Sequence, residues 1–273
     1  MYKTFCIVIP VYNIKPKLYE KIAITQLKKI VANNTYPIYY VAPNKMDISE
    51  YVNILYGKAE YFDKKYFNNI STYSELCLSY EFYDRFIKYD YMYICQTDVF
   101  VNRDEFQLWI DKDFDYIGAP IFDKNSLWKY LPAVGNGGFS LRKISTFKEI
   151  TSGETRKKLN VDELVKEDPA EDRIICDKIR YKYDLEIPTV KDAAKFAWDQ
   201  SIDKALKLKQ GIPFAFHKFN STNILILSKI VPELNDTKLI KESITTSYID
   251  ICNKYGKVIA DKEFKGLEQY IKR

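Results

Sequence analysis

Four places in the chain carry residue types that can do chemistry. Asp98 closes the triplet Gln96-Thr97-Asp98, which follows the apolar run Tyr91–Cys95. A carboxylate at the end of a buried strand suits a hard divalent cation that clamps a diphosphate; it equally suits a turn cap. Gly135-Asn136-Gly137-Gly138 gathers three of the nine glycines within four positions. Glycine admits positive φ and close approach of backbone to a ligand, and it also builds ordinary hairpin turns. The stretch is neither GxGxxG nor GxxxxGK[ST], so it supports neither a dinucleotide fold nor a P-loop. Glu171-Asp172 stands at a predicted helix start. Acids there are favoured by the helix dipole alone, and one of them can act as a general base. Neighbours on a helix point about 100° apart, so only one of the two faces a given substrate. That also argues against a glycosidase pair, whose carboxyls flank one bond at about 5 Å or 6.5–9.5 Å. His217, the only histidine, ends Pro213-Phe-Ala-Phe-His217. It is either a hydrogen-bonded core residue or, in a cleft with Asp98, a second metal ligand. A lone histidine excludes HExxH zinc sites and every other multi-histidine site.

The elements that must hold these residues can be read from periodicity. Phe5–Val11 is a short, β-branched apolar run ended by Tyr12-Asn13, as expected of a buried parallel strand. Leu18, Ile22, Leu27, Ile30 and Val31 recur at helical spacing, and Asn33-Asn34 ends that helix. Ile38–Ala42 is a second strand, stopped by Pro43-Asn44, with a weaker helix and strand to Phe62. Residues 74–88 read as one helix, 91–95 as a strand, 103–110 as a helix and 116–118 as a strand. This alternation predicts a mainly parallel sheet flanked by helices. In such sheets ligands bind beyond the carboxyl ends of the strands, where Tyr12, Asn13, Asn44 and Asp98 fall. In the second half, residues 151–170 read as loop apart from a helical turn at Val161–Val165. Glu171 opens a helix to Ile179, Phe214–His217 forms a last short strand, and a helical pattern runs from Asn223.

Composition narrows the class. Apolar residues make up 47% and aromatics 15% of 273, too many for a disordered chain. No run of about 18 apolar residues can span a bilayer. The five cysteines are odd in number and form no CxxC pair, which reads as a reduced, cytoplasmic inventory. The net charge of +5 fits a solvated surface or an anionic partner. Nucleic acid is not expected as a partner, because there is no RNP1 motif, zinc-finger spacing or concentrated basic stripe.

In this order, the segments 73–86, 89–101, 115–120 and 134–143 (Val-Gly-Asn-Gly-Gly-Phe-Ser-Leu-Arg-Lys), with Glu171-Asp172 and Pro213–His217, resemble the bacterial DUF5672-type glycosyltransferases. Ile7–Asn13 also resembles the first strand of GT-A glycosyltransferases at large. The resemblance implies one GT-A domain over 1–222, with a nucleotide-binding half at 1–120, an acceptor-binding half at 121–222, and a helical extension at 223–273. It implies sugar transfer, inverting in outcome, from a nucleotide diphosphate sugar (a UDP-sugar above others) with Mn²⁺ or Mg²⁺. The acceptor would be a glycan, glycoprotein or lipid-linked molecule. Asp98 matches the last position of a DXD-like metal motif whose first acid is here Gln96, and His217 matches the histidine that completes the metal site. Asp172 matches the base of the xED motif, with Glu171 beside it. Pro10, Tyr12, Asn13, Asn44, Tyr73, Ser74, Gln96, Thr97, Asp98, Gly137 and Gly138 become the donor-binding set. Ser74 and Glu75 stand where the family has Asn and Arg. A contact with the inner face of the membrane and self-association remain open. Two alternatives stand beside this reading. A sugar-phosphate nucleotidyltransferase would need a glycine-rich loop after the first strand, where the chain has Pro10-Val-Tyr-Asn-Ile-Lys15. An idle nucleotide-sugar binder is favoured by Gln96.

Overall fold

A computed structural model describes residues 3–122, 133–199 and 201–219, with Leu227, scattered positions between 241 and 253, and residues 255–263 beyond them. The chain opens with β1 (Phe5–Pro10), α1 (Leu18–Val31), β2 (Ile38–Pro43), α2 (Ser49–Ile54) and β3 (Lys58–Phe62). A 3₁₀ turn (Lys64–Phe67), α3 (Ile70–Cys77), α4 (Tyr80–Asp84), β4 (Tyr91–Cys95), β5 (Phe100–Val101), α5 (Phe106–Ile110), β6 (Tyr116–Gly118) and β7 (Pro120–Ile121) follow. Then come β8 (Ala133–Val134), β9 (Phe139–Lys143), α6 (Ile144–Ile150), α7 (Gly153–Leu159), α8 (Val161–Glu167) and α9 (Glu171–Arg173). A π-helical segment (Ile174–Ile179) leads to α10 (Arg180–Tyr183), α11 (Val190–Phe196), β10 (Ala197–Trp198), α12 (Ile202–Lys207) and β11 (Ala215–Phe216).

Six strands form one sheet in the order β3-β2-β1-β4-β9-β6. β3, β2, β1 and β4 are parallel, and β9 runs antiparallel to both β4 and β6. Side-chain alternation divides the core between the two faces. Cys6, Val8, Tyr39, Val41, Met92 and Ile94 face α3, α4, α6 and α8. Phe5, Ile7, Ile9, Tyr40, Tyr93 and Cys95 face α1, α2 and α5. The central strands are buried along their whole length, which accounts for their continuous apolar runs.

Two expectations need correction. The helix expected over 74–88 is broken in two, because the Ser79 side chain accepts the Phe82 N–H and caps α4. The helical turn expected at Val161–Val165 lies within a full helix, and most of the loop expected around it is helical as well. The two helices, α7 and α8, are joined at Asn160 in the left-handed region (φ 57°), and bury Leu159, Val161, Leu164 and Val165. Polar residues dominated that stretch and hid its apolar stripe. The expected helical extension lies mostly outside the described residues. Within them, Lys257–Glu263 is helical, and no helix among the described residues is long and apolar enough to cross a membrane.

Candidate active site

The strand directions bring the four chemical segments to one edge. Tyr12-Asn13 and Gln96–Asp98 follow the carboxyl ends of parallel β1 and β4. Because β9 is antiparallel, the glycine turn before it lands at the same edge, where the Gln96 N–H donates to the Gly138 carbonyl at 2.9 Å. A small second sheet, β10-β11-β5, supplies the rest. β11 pairs antiparallel with β5, just after Asp98, and parallel with β10. The register Trp198↔Phe216 sets Asp199 beside His217. The Phe219 N–H donates to the Asp98 carbonyl at 2.9 Å and the His217 N–H to that of Trp198 at 2.8 Å.

His217 is buried between two carboxylates. Its Nε2 lies 3.0 Å from Gln96 Oε1 and 3.5 Å from Asp98 Oδ1, and its Nδ1 lies 3.4 Å from Asp199 Oδ1. Burial alone pulls the imidazole down, but Asp98 and Asp199 outweigh it and push it up to about 10. Among the described residues, no group of three or more His, Cys, Asp or Glu side chains is placed to hold a metal ion. The donor set that does converge is one imidazole nitrogen, one carboxylate and the neutral Gln96 amide oxygen. These donors fit a divalent cation. Nε2 faces the two oxygens, while the Asp199 carboxylate lies 3.4 Å from the other ring nitrogen, the side from which a metal-binding histidine is usually supported. A cation there would replace the Nε2 proton.

The glycine turn packs on the two other segments. A Cβ at Gly138 would fall 2.1 Å from His217 Nε2, and one at Gly137 would fall 2.1 Å from Glu171 Oε1. Asn136 adopts φ 63°, and its Nδ2 donates to Asp199 Oδ2. The Gly137 N–H donates to Asp172 Oδ2 at 3.1 Å. Glu171 is buried and paired with Arg142 at 2.8 Å. Burial first, and then the charge of Glu171, raise the Asp172 carboxyl to about 6 against the pull of the Gly137 and Arg173 N–H groups and of Arg142. A carboxyl held there exchanges protons near neutral pH, as a general base requires.

These groups surround a cavity of about 720 Å³, lined by Tyr12, Asn13, Tyr73, Gln96, Gly137, Gly138, Glu171, Asp172 and His217 among others. Asp98 does not line it and meets it only through its 3.5 Å contact with His217. Other expected donor residues lie elsewhere. Asn44 is exposed past β2 and Pro10 is buried in β1. Ser74 is buried and donates to the Pro169 carbonyl at 2.8 Å. Thr97 donates to Glu20, whose Oε2 accepts the Lys17 N–H at 2.6 Å, so the start of α1 is tied to the Asp98 turn. Sequence reasoning missed Asp199, Lys218, Arg142 and Phe67, and gave Asn136, inside the glycine turn, no role of its own. A signal existed for Asp199: it directly follows a short apolar strand, much as Asp98 closes the polar triplet after β4. Phe67 and Lys218 line the cavity, and the Tyr12 ring meets those of Phe67 and Tyr73 edge-on at 6.0 and 5.5 Å.

No curated protein matches the chain in sequence. Among solved structures, the chain is similar to galactosyltransferase LgtC in complex with donor and acceptor sugar analogs. That likeness has a TM-score of 0.53 at 12% identity and covers 86% of this chain and 94% of the other. It is also similar to the glycosyltransferase GlyE of Streptococcus pneumoniae, with a TM-score of 0.50 at 14% identity over 90% and 64% of the two chains. With the mixed, mainly parallel sheet, these two likenesses establish a GT-A fold. The family model described as "Protein of unknown function (DUF5672)" matches residues 57–217. That stretch holds Gln96, Asp98, the glycine turn, Glu171-Asp172 and His217, and it is more than half of the 273 residues. The chain therefore belongs to the DUF5672 family.

Proposed function

We propose that the protein is a metal-dependent, inverting glycosyltransferase. In this reading it moves a sugar from a nucleotide diphosphate sugar, a UDP-sugar above others, to a hydroxyl of a glycan, glycoprotein or lipid-linked acceptor. One observation carries the reading. A single cavity at the carboxyl edge of the sheet has Asp172 on one wall and Gln96 and His217 on another, with the Gly137-Gly138 turn between them and Asp98 Oδ1 3.5 Å from His217 Nε2. Mn²⁺ or Mg²⁺ held by Asp98, His217 and the Gln96 amide oxygen would neutralise charge on the departing diphosphate. Lys218, on the cavity wall, brings a further positive charge. Asp172 takes the proton of the acceptor hydroxyl as its oxygen bonds to the anomeric carbon and the bond to the diphosphate breaks. The aromatic wall of Tyr12, Phe67 and Tyr73 supplies apolar surface for a base or sugar ring. The GT-A fold, found in glycosyltransferases, supports the same reading.

The test is incubation with UDP-, GDP- and CDP-sugars, with and without Mn²⁺ and with an acceptor library, following nucleotide release. Metal-stimulated release from one donor class is expected. Donor binding without turnover would instead favour the idle binder, for which Gln96 in place of an acid is the supporting observation.

A further inference from the structure

Glu171 and Asp172 are adjacent acids, yet the structure surrounds them differently. Glu171 is held through its Oε1. Oε1 accepts Arg142 Nη2 at 2.8 Å, and Oε2 lies 3.2 Å from Ser74 Oγ, which also accepts the Glu171 N–H at 3.1 Å. Arg142 has no solvent-exposed surface. Its Nη1 donates to the Tyr83 hydroxyl at 3.2 Å and its Nε to Ser140 Oγ at 3.2 Å. The guanidinium also lies 5.5 Å from the centre of the Tyr116 ring. Ser140 in turn donates to the Gly137 carbonyl at 3.1 Å. Gly137 rests directly on this pair, since a Cβ there would meet Glu171 Oε1 at 2.1 Å and Arg142 Nη2 at 3.1 Å. The other face of Gly137 presents its N–H to Asp172.

A buried ion pair is rarely more stabilising than apolar residues of the same volume, so its presence under a site calls for a positional reason. We propose that Arg142 and Glu171 are positioning residues. Their ion pair seats the Gly137 amide against Asp172 and leaves Asp172 as the one acid of the two that can exchange a proton with a molecule in the cavity. This rests on the reading of Asp172 as the base and assigns Glu171 a role other than proton transfer. Glu171 Oε1 is committed to Arg142 and lies directly under Gly137, so moving the carboxylate would unseat the turn. The groups facing Asp172 are Glu171 and Arg173 from its own helix, Cys176 from the π-helical segment, Arg142 from β9 and Tyr116 from β6. Of these, Arg142 and Glu171 are the opposed pair whose charges act on Asp172 from beneath the Gly137 turn.

The experiment is a ¹³C-carboxyl and ¹⁵N-glycine NMR titration of the full chain without donor. Asp172 is assigned by its loss in Asp172→Asn, and only nine glycine amides need resolving. In the wild type the Gly137 amide shift should follow the Asp172 titration. Glu171→Gln removes a negative neighbour and leaves Arg142 in place, so the Asp172 midpoint should fall by about one pH unit or more. That variant leaves a buried charge uncompensated, so the double variant Glu171→Gln/Arg142→Met, which removes both charges, is titrated beside it. There the Gly137 amide should stop following Asp172. An unmoved midpoint in Glu171→Gln, or a Gly137 amide that still follows Asp172 in the double variant, overturns the proposal. Turnover of Asp172→Asn is measured separately. Full activity there would remove the base reading without touching the titration result.

Discussion

Gly138 and His217 share one space. The position a side chain would take at Gly138 is 2.1 Å from His217 Nε2 and 2.2 Å from Cε1, inside the imidazole itself. The glycine is therefore required by the histidine, whatever else approaches the turn. The ring cannot retreat freely, because Asp199 and Gln96 hold opposite edges. Gly138→Ala should destabilise the fold by about 1–3 kcal/mol, the usual cost of overpacking. It should also weaken Mn²⁺ binding by about tenfold or more, since the ligand nitrogen must move. Thermal denaturation and titration calorimetry read the two effects. A variant with unchanged Mn²⁺ affinity would show that Nε2 is not a ligand.

Asp172→Asn should lower kcat by about 10²–10⁴-fold, the typical contribution of a general base, with nucleotide affinity intact. The wild-type rate should fall as pH drops through about 6, where the carboxyl takes up its proton. Stability should move the other way. A carboxyl raised above its unfolded value stabilises the fold at low pH, and that contribution is lost as pH rises through the folded value. The asparagine variant should therefore exceed the wild type by about 1–2 kcal/mol at pH 7.5, with the difference closing by pH 4. Tm measured across that range checks the sign.

Much of this arrangement was legible in the chain because local pattern and position agree. The apolar runs at Phe5–Pro10 and Tyr91–Cys95 announce buried parallel strands, and the polar residues that end them mark the ligand edge. What could not be read depends on pairing between distant segments. Asp199 reaches His217 only because two-residue strands, β10 and β11, lie side by side. Arg142 looks like one more polar residue of a strand end until β9 is seen to bury it against Glu171. Ser74 and Thr97 sit beside the right segments, but their hydroxyls serve the Pro169 carbonyl and Glu20. For such residues adjacency in sequence does not fix the direction a side chain takes.

Asp199→Asn keeps the volume beside Nδ1 and removes the charge. With the carboxylate gone, the ring loses the partner that raises its basicity and holds its orientation. Mn²⁺ affinity should fall by about 10–100-fold, while far-UV circular dichroism stays that of the wild type. Calorimetric titration with Mn²⁺ alone is the measurement, and an affinity equal to the wild type would remove Asp199 from the site.

Gln96→Asp restores the acid that a DXD-like motif has at this position. Gln96 Oε1 lies 3.0 Å from His217 Nε2, and aspartate, one methylene shorter, aims a carboxylate at the same cluster from further back. Without a cation, the new charge adds to Asp98 in a crowded site, and the metal-free variant should melt below the wild type. With Mn²⁺ the order should reverse, because a second carboxylate tightens a hard-cation site. If affinity rises about tenfold, saturating Mn²⁺ should add about 1.4 kcal/mol more stability to the variant than to the wild type. Tm with and without Mn²⁺ therefore gives two differences of opposite sign. Equal differences would show that residue 96 does not reach the cation.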